Sequence, residues 1–306
     1  MFNLDVIPYE EKIYKKRIKK VNGSARSGKE NINRSYDLLI KHIEKYSQLE
    51  KLFPLPFIIQ NYKGHDWHNI FYKFYDSKSD DFSALKKEIK EKTVNNQYSK
   101  QGLKCSYCGI SRHRLADLDH FMPRSKYSEF SILSCNLIYV CKQCNQDYKK
   151  SKFLDKNGVR QFLHPYYDME LNSTQILECN IEINNIFLNI TFRVREGLEE
   201  ENKYLYLIAL NHLKELKLDI RYTELVTDDL LQKFLNKFKD KEYLSGRKMQ
   251  ELSTESCKNY IQDKIDELED DVTCNDFEIV FWKELFHCTD WFENISEKFY
   301  DNLKYL

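Results

Sequence analysis

Four of the nine cysteines form two pairs with the same spacing in this chain of 306 residues. The pairs are Cys105-x2-Cys108 and Cys141-x2-Cys144. A gap of two residues allows both thiolates of a pair to bind one tetrahedral Zn²⁺ ion, at about 2.3 Å. Since the N-terminal residues have no apolar segment typical of a secretion signal, a structural zinc site is favoured over disulfides. Redox-active or simply buried free cysteines are the alternative.

A second set of polar residues lies between and beside the cysteine pairs. Asp119 and His120 are adjacent, and Asn136 and Asn145 follow them along the chain. Aspartate and asparagine oxygens are hard ligands of the kind that Mg²⁺ prefers, and Mg²⁺ keeps its other positions for water and phosphate. A histidine with an ordinary pKa of about 6.5 can deprotonate water at neutral pH. Together these residues supply the parts for metal-assisted hydrolysis of a phosphodiester.

The order of these residues resembles the HNH endonuclease family over residues 103–153. The resemblance implies a ββα-metal fold in which Asp119 and Asn145 hold a catalytic Mg²⁺ or Mn²⁺ ion. It also implies that His120 is the general base and that Asn136 orients this histidine across the loop. The chain has the His-Asn-Asn arrangement, which departs from the final histidine that gives the family its name. The expected products carry 5′-phosphate and 3′-hydroxyl ends.

The local sequence patterns agree with such a module. Apolar patterning predicts strands over 115–121 and 137–141, followed by a helix over 143–152. Residues 104–152 contain 9 Lys and Arg against 4 Asp and Glu, which favours DNA as a partner without excluding RNA. The candidate phosphate contacts are Arg124, Lys126, Lys149, Lys150 and Lys152. For the three lysines at the end of the helix, a solvated helix end is the alternative.

The sequence on either side of this module is predicted to be mainly helical. Helical periodicity predicts helices over 34–53 and 84–92, and again from residue 203 onward. Alternating apolar residues on both sides of Asn184-Asn185 predict one β-hairpin. The predicted fold class is therefore α+β and predominantly helical, with a central ββα-metal HNH module, a four-cysteine zinc site and helical terminal parts.

Three regions are expected from these patterns, and they differ in charge. They are a basic helical region 1–100, the HNH nuclease module 101–155, and a hairpin plus acidic helical region 156–306. The net charge is zero, but residues 1–195 hold 33 Lys and Arg against 22 Asp and Glu. This asymmetry predicts a basic part that faces a polyanion, although two helical surfaces of opposite sign would also produce it.

Composition excludes several classes of protein. Apolar residues make up 42% of the chain and charged residues 31%, which is typical of a globular protein and argues against bulk disorder. No apolar run approaches the roughly 20 residues that a membrane-spanning helix needs. We therefore expect a cytoplasmic protein with no membrane partner.

The expected function is a metal-dependent DNA endonuclease. The flanking regions carry no recognisable DNA-reading motif, and a free nonspecific nuclease would be toxic to a cell. This motivates the expectation of a regulatory partner such as an ATPase, as in bacterial anti-phage defence systems that pair an HNH subunit with one. The alternatives are a restriction or homing-type site-specific endonuclease and a non-catalytic zinc module that binds nucleic acid.

Overall fold

The computed structural model describes residues 66–76, 80–99, 102–112, 115–168, 173–236, 253–270 and 272–302. The chain divides into two compact units, residues 1–170 and residues 171–306. The fold contains both α-helices and β-strands and is mainly helical, as the helical periodicity of the sequence predicted. The predicted helix over 34–53 lies outside the described residues.

The first unit contains, in its described part, two α-helices, five short strands and a π-helix. In chain order these are α1 (Asp66–Phe74), α2 (Asp80–Gln97), β1 (Tyr98–Ser99), β2 (Gly102–Lys104), β3 (Ser111–Arg112), β4 (Asp117–His120), β5 (Leu137–Val140) and the π-helix (Gln143–Lys149). Strands β1, β2 and β3 form one antiparallel sheet, and β4 pairs with β5 in another. The helix predicted over 84–92 is confirmed as the middle of α2.

The β4–β5 pair carries the residues that the sequence singled out. Its register sets Asp119 opposite Ile138 and His120 opposite Leu137. Strand β5 is a short apolar run whose residues are almost all buried, as expected for a strand covered on both faces. Both predicted strands are confirmed, each with slightly shorter bounds than the apolar pattern suggested.

The segment after β5 differs from the prediction, because it is a π-helix and not an α-helix. The N–H of Lys150 donates to the carbonyl of Asn145 at 2.8 Å, which is a bond across five residues. The element ends there, since Lys150 has a φ of 52°. π-turns are rare and often occur at functional sites. The wider turn changes which side chains face the interior, and a pattern based on 3.6 residues per turn cannot detect it.

Helix α1 is tied to the loop and strand that precede β5. The hydroxyl of Ser131 donates to the carbonyl of Phe71 at 2.6 Å, and the hydroxyl of Tyr75 donates to the carbonyl of Leu118 at 3.4 Å. The apolar face of α2 is also buried, with Phe82 and Ile89 fully inaccessible to solvent. These contacts attach both helices to the β4–β5 pair.

A buried polar cluster ends the first unit. The guanidinium of Arg160 forms a two-pronged ion pair with Asp168, at 3.1 and 2.8 Å. Asp168 also accepts a hydrogen bond from the backbone N–H of His164 at 2.6 Å, and Tyr166 donates to the carbonyl of Leu137 at 3.0 Å. The cluster is therefore a packed turn.

The burial of His164 predicts a pH-dependent stability. Burial and the nearby Arg160 lower the pKa of His164 well below its ordinary value. The unfolded chain takes up a proton as the pH falls below about 6.5, whereas the folded chain keeps this ring neutral. The free energy of unfolding is thus expected to fall with pH below that point, with a slope of up to about 1.4 kcal/mol per pH unit from this group.

Chemical denaturation at pH 7.5 and 5.5, in saturating zinc, measures this slope. His164→Gln is expected to reduce the pH dependence, and His287→Gln, which removes an exposed histidine, is expected to leave it unchanged. Comparing variants at the same pH values cancels the titration of the cysteine thiols. An identical slope in the wild type and in His164→Gln would contradict the assignment.

The second unit is built around a hairpin and helices. The elements are β6 (Leu177–Asn184), β7 (Phe187–Val194), α3 (Leu198–Glu201), α4 (Lys203–Glu215), α5 (Leu218–Leu225), a second π-helix (Val226–Leu230), α6 (Thr254–Glu269), α7 (Phe277–Phe286) and α8 (Thr289–Asn302). The predicted hairpin is confirmed, and Asn185 adopts the left-handed φ of 61° that its turn requires. In the core, the rings of Tyr222 and Phe277 stack with centroids 4.7 Å apart.

Within the described parts of the chain, no helix is long and apolar enough to cross a membrane.

Candidate functional site

The four cysteines of the two pairs converge on one point. Their sulfur atoms all lie within 4.8 Å of one another, and all four residues are buried. Two backbone N–H groups point at these sulfurs, from Cys141 to Cys105 at 3.3 Å and from Cys144 to Cys141 at 3.5 Å. Such donors stabilise thiolates, and four close sulfurs have the chemistry of a closed site for a metal ion such as zinc.

The first cysteine pair lies on a tight turn that its sequence favours. The N–H of Gly109 donates to the carbonyl of Cys105 at 2.8 Å. Gly109 has a φ of 65°, which glycine adopts without steric cost. The hydroxyl of Ser106 then donates to the carbonyl of Tyr139 at 2.9 Å, which attaches this turn to β5. The hydrogen bonds of Ser106 and of the Cys141 N–H therefore connect the first cysteine pair with the strand and turn that carry the second.

A polar pocket of about 560 Å³ lies next to the cysteine cluster. It brings together three of the residues predicted from the sequence: Asp119, His120 and Asn145. The fourth, Asn136, is fully buried and does not line the pocket. The side chains of Asp117, Arg124 and Lys150 also line it.

His120 is half-buried and is held in one orientation. Its Nε2 atom lies 2.9 Å from the carbonyl oxygen of Ser131. Because a carbonyl only accepts hydrogen bonds, Nε2 carries the hydrogen, and in the neutral ring Nδ1 is the acceptor. Burial lowers the pKa of His120 to about 3, so the ring is neutral at physiological pH. A neutral imidazole with a defined acceptor nitrogen can take a proton from water, but the lowered pKa also makes it a weaker base than an ordinary histidine.

The side chain of Asn136 forms hydrogen bonds with the backbone of the loop. Its side-chain oxygen accepts from the N–H of Met122 at 2.7 Å, and its amide donates to the carbonyls of Met122 and Phe130 at 3.2 and 3.0 Å. Phe130 is next to Ser131, whose carbonyl holds the His120 ring. The side chain of Asn136 therefore braces the loop whose next carbonyl holds the His120 ring.

Asp119 is buried, and both of its carboxylate oxygens are engaged. The hydroxyl of Tyr107 donates to Oδ2 at 2.7 Å. The ammonium of Lys149 lies 3.0 Å from the same oxygen and donates to Oδ1 at 3.2 Å. Lys149 also donates to the carbonyl of His120 at 2.9 Å. The predicted phosphate contact by Lys149 is wrong, because the π-helix turns this side chain into the interior, where it is fully inaccessible to solvent.

Asp117 is a site residue that the sequence prediction missed. It lies two residues before Asp119 on β4, so both side chains leave the strand on the same face. Its Oδ2 accepts from the side-chain amides of Asn145 at 3.1 Å and Gln146 at 2.8 Å. Because the NH₂ group of Asn145 is used in this bond, its amide oxygen is the atom that remains to face the pocket. The spacing of Asp117 and Asp119 was the signal that could have identified it.

The oxygens around this pocket suit a hard divalent cation. The carboxylate of Asp119 and the amide oxygen of Asn145 are the donor types that Mg²⁺ and Mn²⁺ prefer, and Asp117 holds that amide in place. The charge of Asp119 is already offset by Lys149, so we expect weak binding in the absence of a phosphate ligand. Among the described residues, the cysteine cluster is the one group in which three or more His, Cys, Asp or Glu ligand atoms lie within 4.8 Å of one another.

The remaining predicted phosphate contacts occupy different positions. Arg124 lines the pocket, where its guanidinium lies 4.3 Å from the ring centre of Tyr72 and forms an ion pair with Asp76 at 3.0 Å. Lys150 is exposed and lines the pocket. Lys126 is exposed and Lys152 is half-exposed, and neither is among the lining residues. Arg124 and Lys150 are thus the two that stand beside His120.

Comparison with known proteins gives a short sequence match. Seventy residues of the chain are 37% identical to Protein ea31 of Escherichia phage lambda, a match that covers 23% of each protein. The chain therefore aligns with less than a quarter of that relative's length. No protein-family profile matches the chain, and no solved structure matches it.

Proposed function

We propose that this protein is a metal-dependent endonuclease of the HNH type that hydrolyses phosphodiester bonds of DNA. The observation that carries the proposal is the pocket in which the neutral His120 ring stands beside oxygen donors from Asp117, Asp119 and Asn145. A general base and a cation site in one pocket are the requirements of metal-assisted phosphodiester hydrolysis. We further propose that a partner protein regulates this activity in anti-phage defence, because the regions that flank residues 101–155 are long.

In the proposed reaction, Nδ1 of His120 takes a proton from the water molecule that attacks the phosphorus. The bond from Nε2 to the carbonyl of Ser131 keeps the ring in the required tautomer, and Asn136 braces the loop that carries this carbonyl. Attack in line with the 3′ oxygen breaks the P–O3′ bond and leaves 5′-phosphate and 3′-hydroxyl ends. When bound at Asp119 and Asn145, a divalent ion supplies positive charge that stabilises the phosphate and the leaving oxygen.

A zinc-containing module that only binds nucleic acid explains fewer of these contacts. Such a module needs the cysteine cluster and a cationic surface. It does not require a neutral histidine fixed by a carbonyl, nor an asparagine that braces the histidine's loop. The nuclease proposal gives each of these residues a function.

The direct test is incubation of the zinc-loaded protein with supercoiled plasmid in buffers that contain Mg²⁺, Mn²⁺ or neither. We expect nicked or linear plasmid only when a divalent ion is added. Omitting the ion is a cleaner control than adding a chelator, because a chelator also removes zinc from the cysteines. Failure of the isolated, zinc-loaded protein to cleave both plasmid and single-stranded DNA would contradict an intrinsic nuclease activity, and cleavage without an added divalent ion would contradict the metal dependence.

Loss of the Asp117 side chain is expected to weaken the cation site. In Asp117→Ala, the amide of Asn145 loses the acceptor that fixes its orientation, so its oxygen no longer points at the ion in most molecules. Removing such an outer partner typically costs about 10–100-fold in metal affinity or activity. A titration of the cleavage rate with Mg²⁺ measures the shift in half-saturation.

Asp147→Ala is the matched control for this variant, because Asp147 is an exposed carboxylate of the same π-helix that does not line the pocket. Asp147→Ala should retain the wild-type Mg²⁺ dependence. An unchanged Mg²⁺ half-saturation in Asp117→Ala would show that Asn145 does not depend on this contact.

A further inference from the structure

One wall of the pocket comes from helices outside the segment that resembles the HNH family. Tyr72 lies on α1, Tyr75 directly follows it, and Lys86 and Lys90 lie one turn apart on α2. All four line the same pocket as His120. Residues 66–97 therefore form part of the surface that a substrate in this pocket would touch.

The charged side chains that line the pocket are more often cationic than anionic. Lys86, Lys90, Arg124 and Lys150 line it, against the carboxylates of Asp117 and Asp119. The charge of Asp119 is offset by Lys149 at 3.0 Å. Asp76 likewise offsets the charge of Arg124. Three lysines then remain at the pocket against one carboxylate, that of Asp117. A polyanion is the class of ligand that such a pocket attracts.

The two lysines of α2 differ in how they are held. The ammonium of Lys86 donates to the carbonyl of Tyr75 at 2.8 Å and lies 4.3 Å from the centre of the Tyr75 ring. Lys90 is exposed, and its ammonium lies 5.5 Å from the ring centre of Tyr139 on β5. Lys86 is thus committed to contacts within the protein, whereas Lys90 presents its charge at the mouth of the pocket.

The surroundings of Lys86 also favour an anion at this position. Burial lowers the pKa of Lys86, and the nearby charges of Lys90 and Arg124 lower it further, while Asp76 opposes them. Three cations that face one pocket repel one another. A bound phosphate would relieve this repulsion, and the free energy gained would contribute to binding.

We propose that α2 is part of the DNA-binding surface and that Lys90 binds a backbone phosphate adjacent to the scissile one. The inference rests on the proposed nuclease function and extends it to a helix that the HNH resemblance does not cover. Lys150, on the end of the π-helix, provides the second exposed ammonium at the same pocket. Contacts of this kind bind the backbone without reading bases, so Lys90 contributes affinity that does not depend on sequence.

The test is DNA binding by Lys90→Ala in a His120→Ala background, where substrate is bound but not cleaved. Loss of one phosphate contact reduces the salt slope of log K by about 0.9, which is about an eightfold loss of affinity at 0.1 M salt. Fluorescence anisotropy with a labelled duplex, at four salt concentrations, measures both quantities. Lys90→Arg keeps the charge and should restore the slope.

Lys87→Ala is the matched control, because Lys87 is on the same helix, 76% exposed, and paired with Glu91 away from the pocket. Equal affinity and salt slope for the Lys90 and Lys87 variants would overturn the inference. The outcome is separable from the nuclease test. If the wild type cleaves DNA and the Lys90 variant binds it normally, this inference alone is wrong. If the Lys90 variant binds weakly but the protein never cleaves DNA, the nuclease proposal is wrong and α2 remains a DNA-binding surface without a scissile phosphate.

Discussion

The His120→Ala variant is expected to lose about 10²–10⁴-fold of the DNA-cleavage rate, the usual contribution of a general base. Within the pocket, His120 is the side chain with a neutral nitrogen held ready to accept a proton, since its Nε2 hydrogen is directed at Ser131. The carboxylates beside it face the amide of Asn145 or the ammonium of Lys149. In the proposed site Asp119 holds the divalent ion and Asp117 fixes the amide of Asn145, so neither carboxylate replaces His120 as the base.

The measurement is the initial rate of plasmid nicking, with zinc content and melting temperature recorded for the same preparations. His120 lies outside the cysteine cluster, so both properties should match those of the wild type. His287→Ala, which removes an exposed histidine of the second unit, is the control for general effects of such a substitution. Added imidazole should partly restore cleavage by His120→Ala, because the missing group is a diffusible base. A His120→Ala enzyme with full activity would refute the assignment of the base.

Local patterns in the sequence predicted the parts of this site that depend on local geometry. The two-residue gap between paired cysteines predicts a tight turn. The short apolar run before Cys141 predicts a strand, and both predictions use only neighbouring residues. This is why the cysteine cluster and the β4–β5 pair were both predicted and found. Asp119, His120 and Asn145 reach one pocket for the same reason, since each lies next to one of these elements.

The parts that sequence reasoning missed depend on long-range packing. Lys149 belongs to a run of lysines that is typical of a solvated helix end, but an extra residue per turn carries it into the interior. The contribution of α1 and α2 to the pocket depends on contacts across more than 40 positions, such as that from Tyr75 to Leu118. No local periodicity encodes such contacts. The position of a charged side chain in a π-helix, such as Lys149, therefore cannot be predicted from a pattern based on α-helical periodicity.

The cysteine cluster and the pocket are linked by residues that lie next to one another in the sequence. Tyr107 stands between Cys105 and Cys108 and donates its hydroxyl to Asp119 at 2.7 Å. Asn145 directly follows Cys144 and lines the pocket. A metal ion bound by the four sulfurs would therefore fix both the carboxylate and the amide of the proposed catalytic site. Burial raises the pKa of the Cys105 thiol. A bound cation would oppose this effect by stabilising the thiolate form of the cysteines.

The second large effect is expected from Cys108→Ala, which removes one of the four sulfurs. Structural zinc contributes on the order of 10–16 kcal/mol in small peptides, which is comparable with the whole stability of a typical domain, about 5–15 kcal/mol. Loss of the ion should therefore unfold the cysteine-framed segment and abolish cleavage. Cys135→Ala is the matched control, because Cys135 is equally buried in the same unit but lies outside the cluster.

Elemental analysis and thermal melting distinguish the two variants. The wild type and Cys135→Ala should each contain one zinc ion per chain, and the control should lose only the 0.5–3 kcal/mol or so that is usual for a core substitution. Cys108→Ala should contain no zinc, and the melting transition of its first unit should be lost. Because Tyr107 and Asn145 are held by the cluster, we expect cleavage to disappear together with zinc. A wild type that contains no zinc, together with a Cys108→Ala protein that melts like Cys135→Ala, would mean that the four cysteines are merely packed in the core.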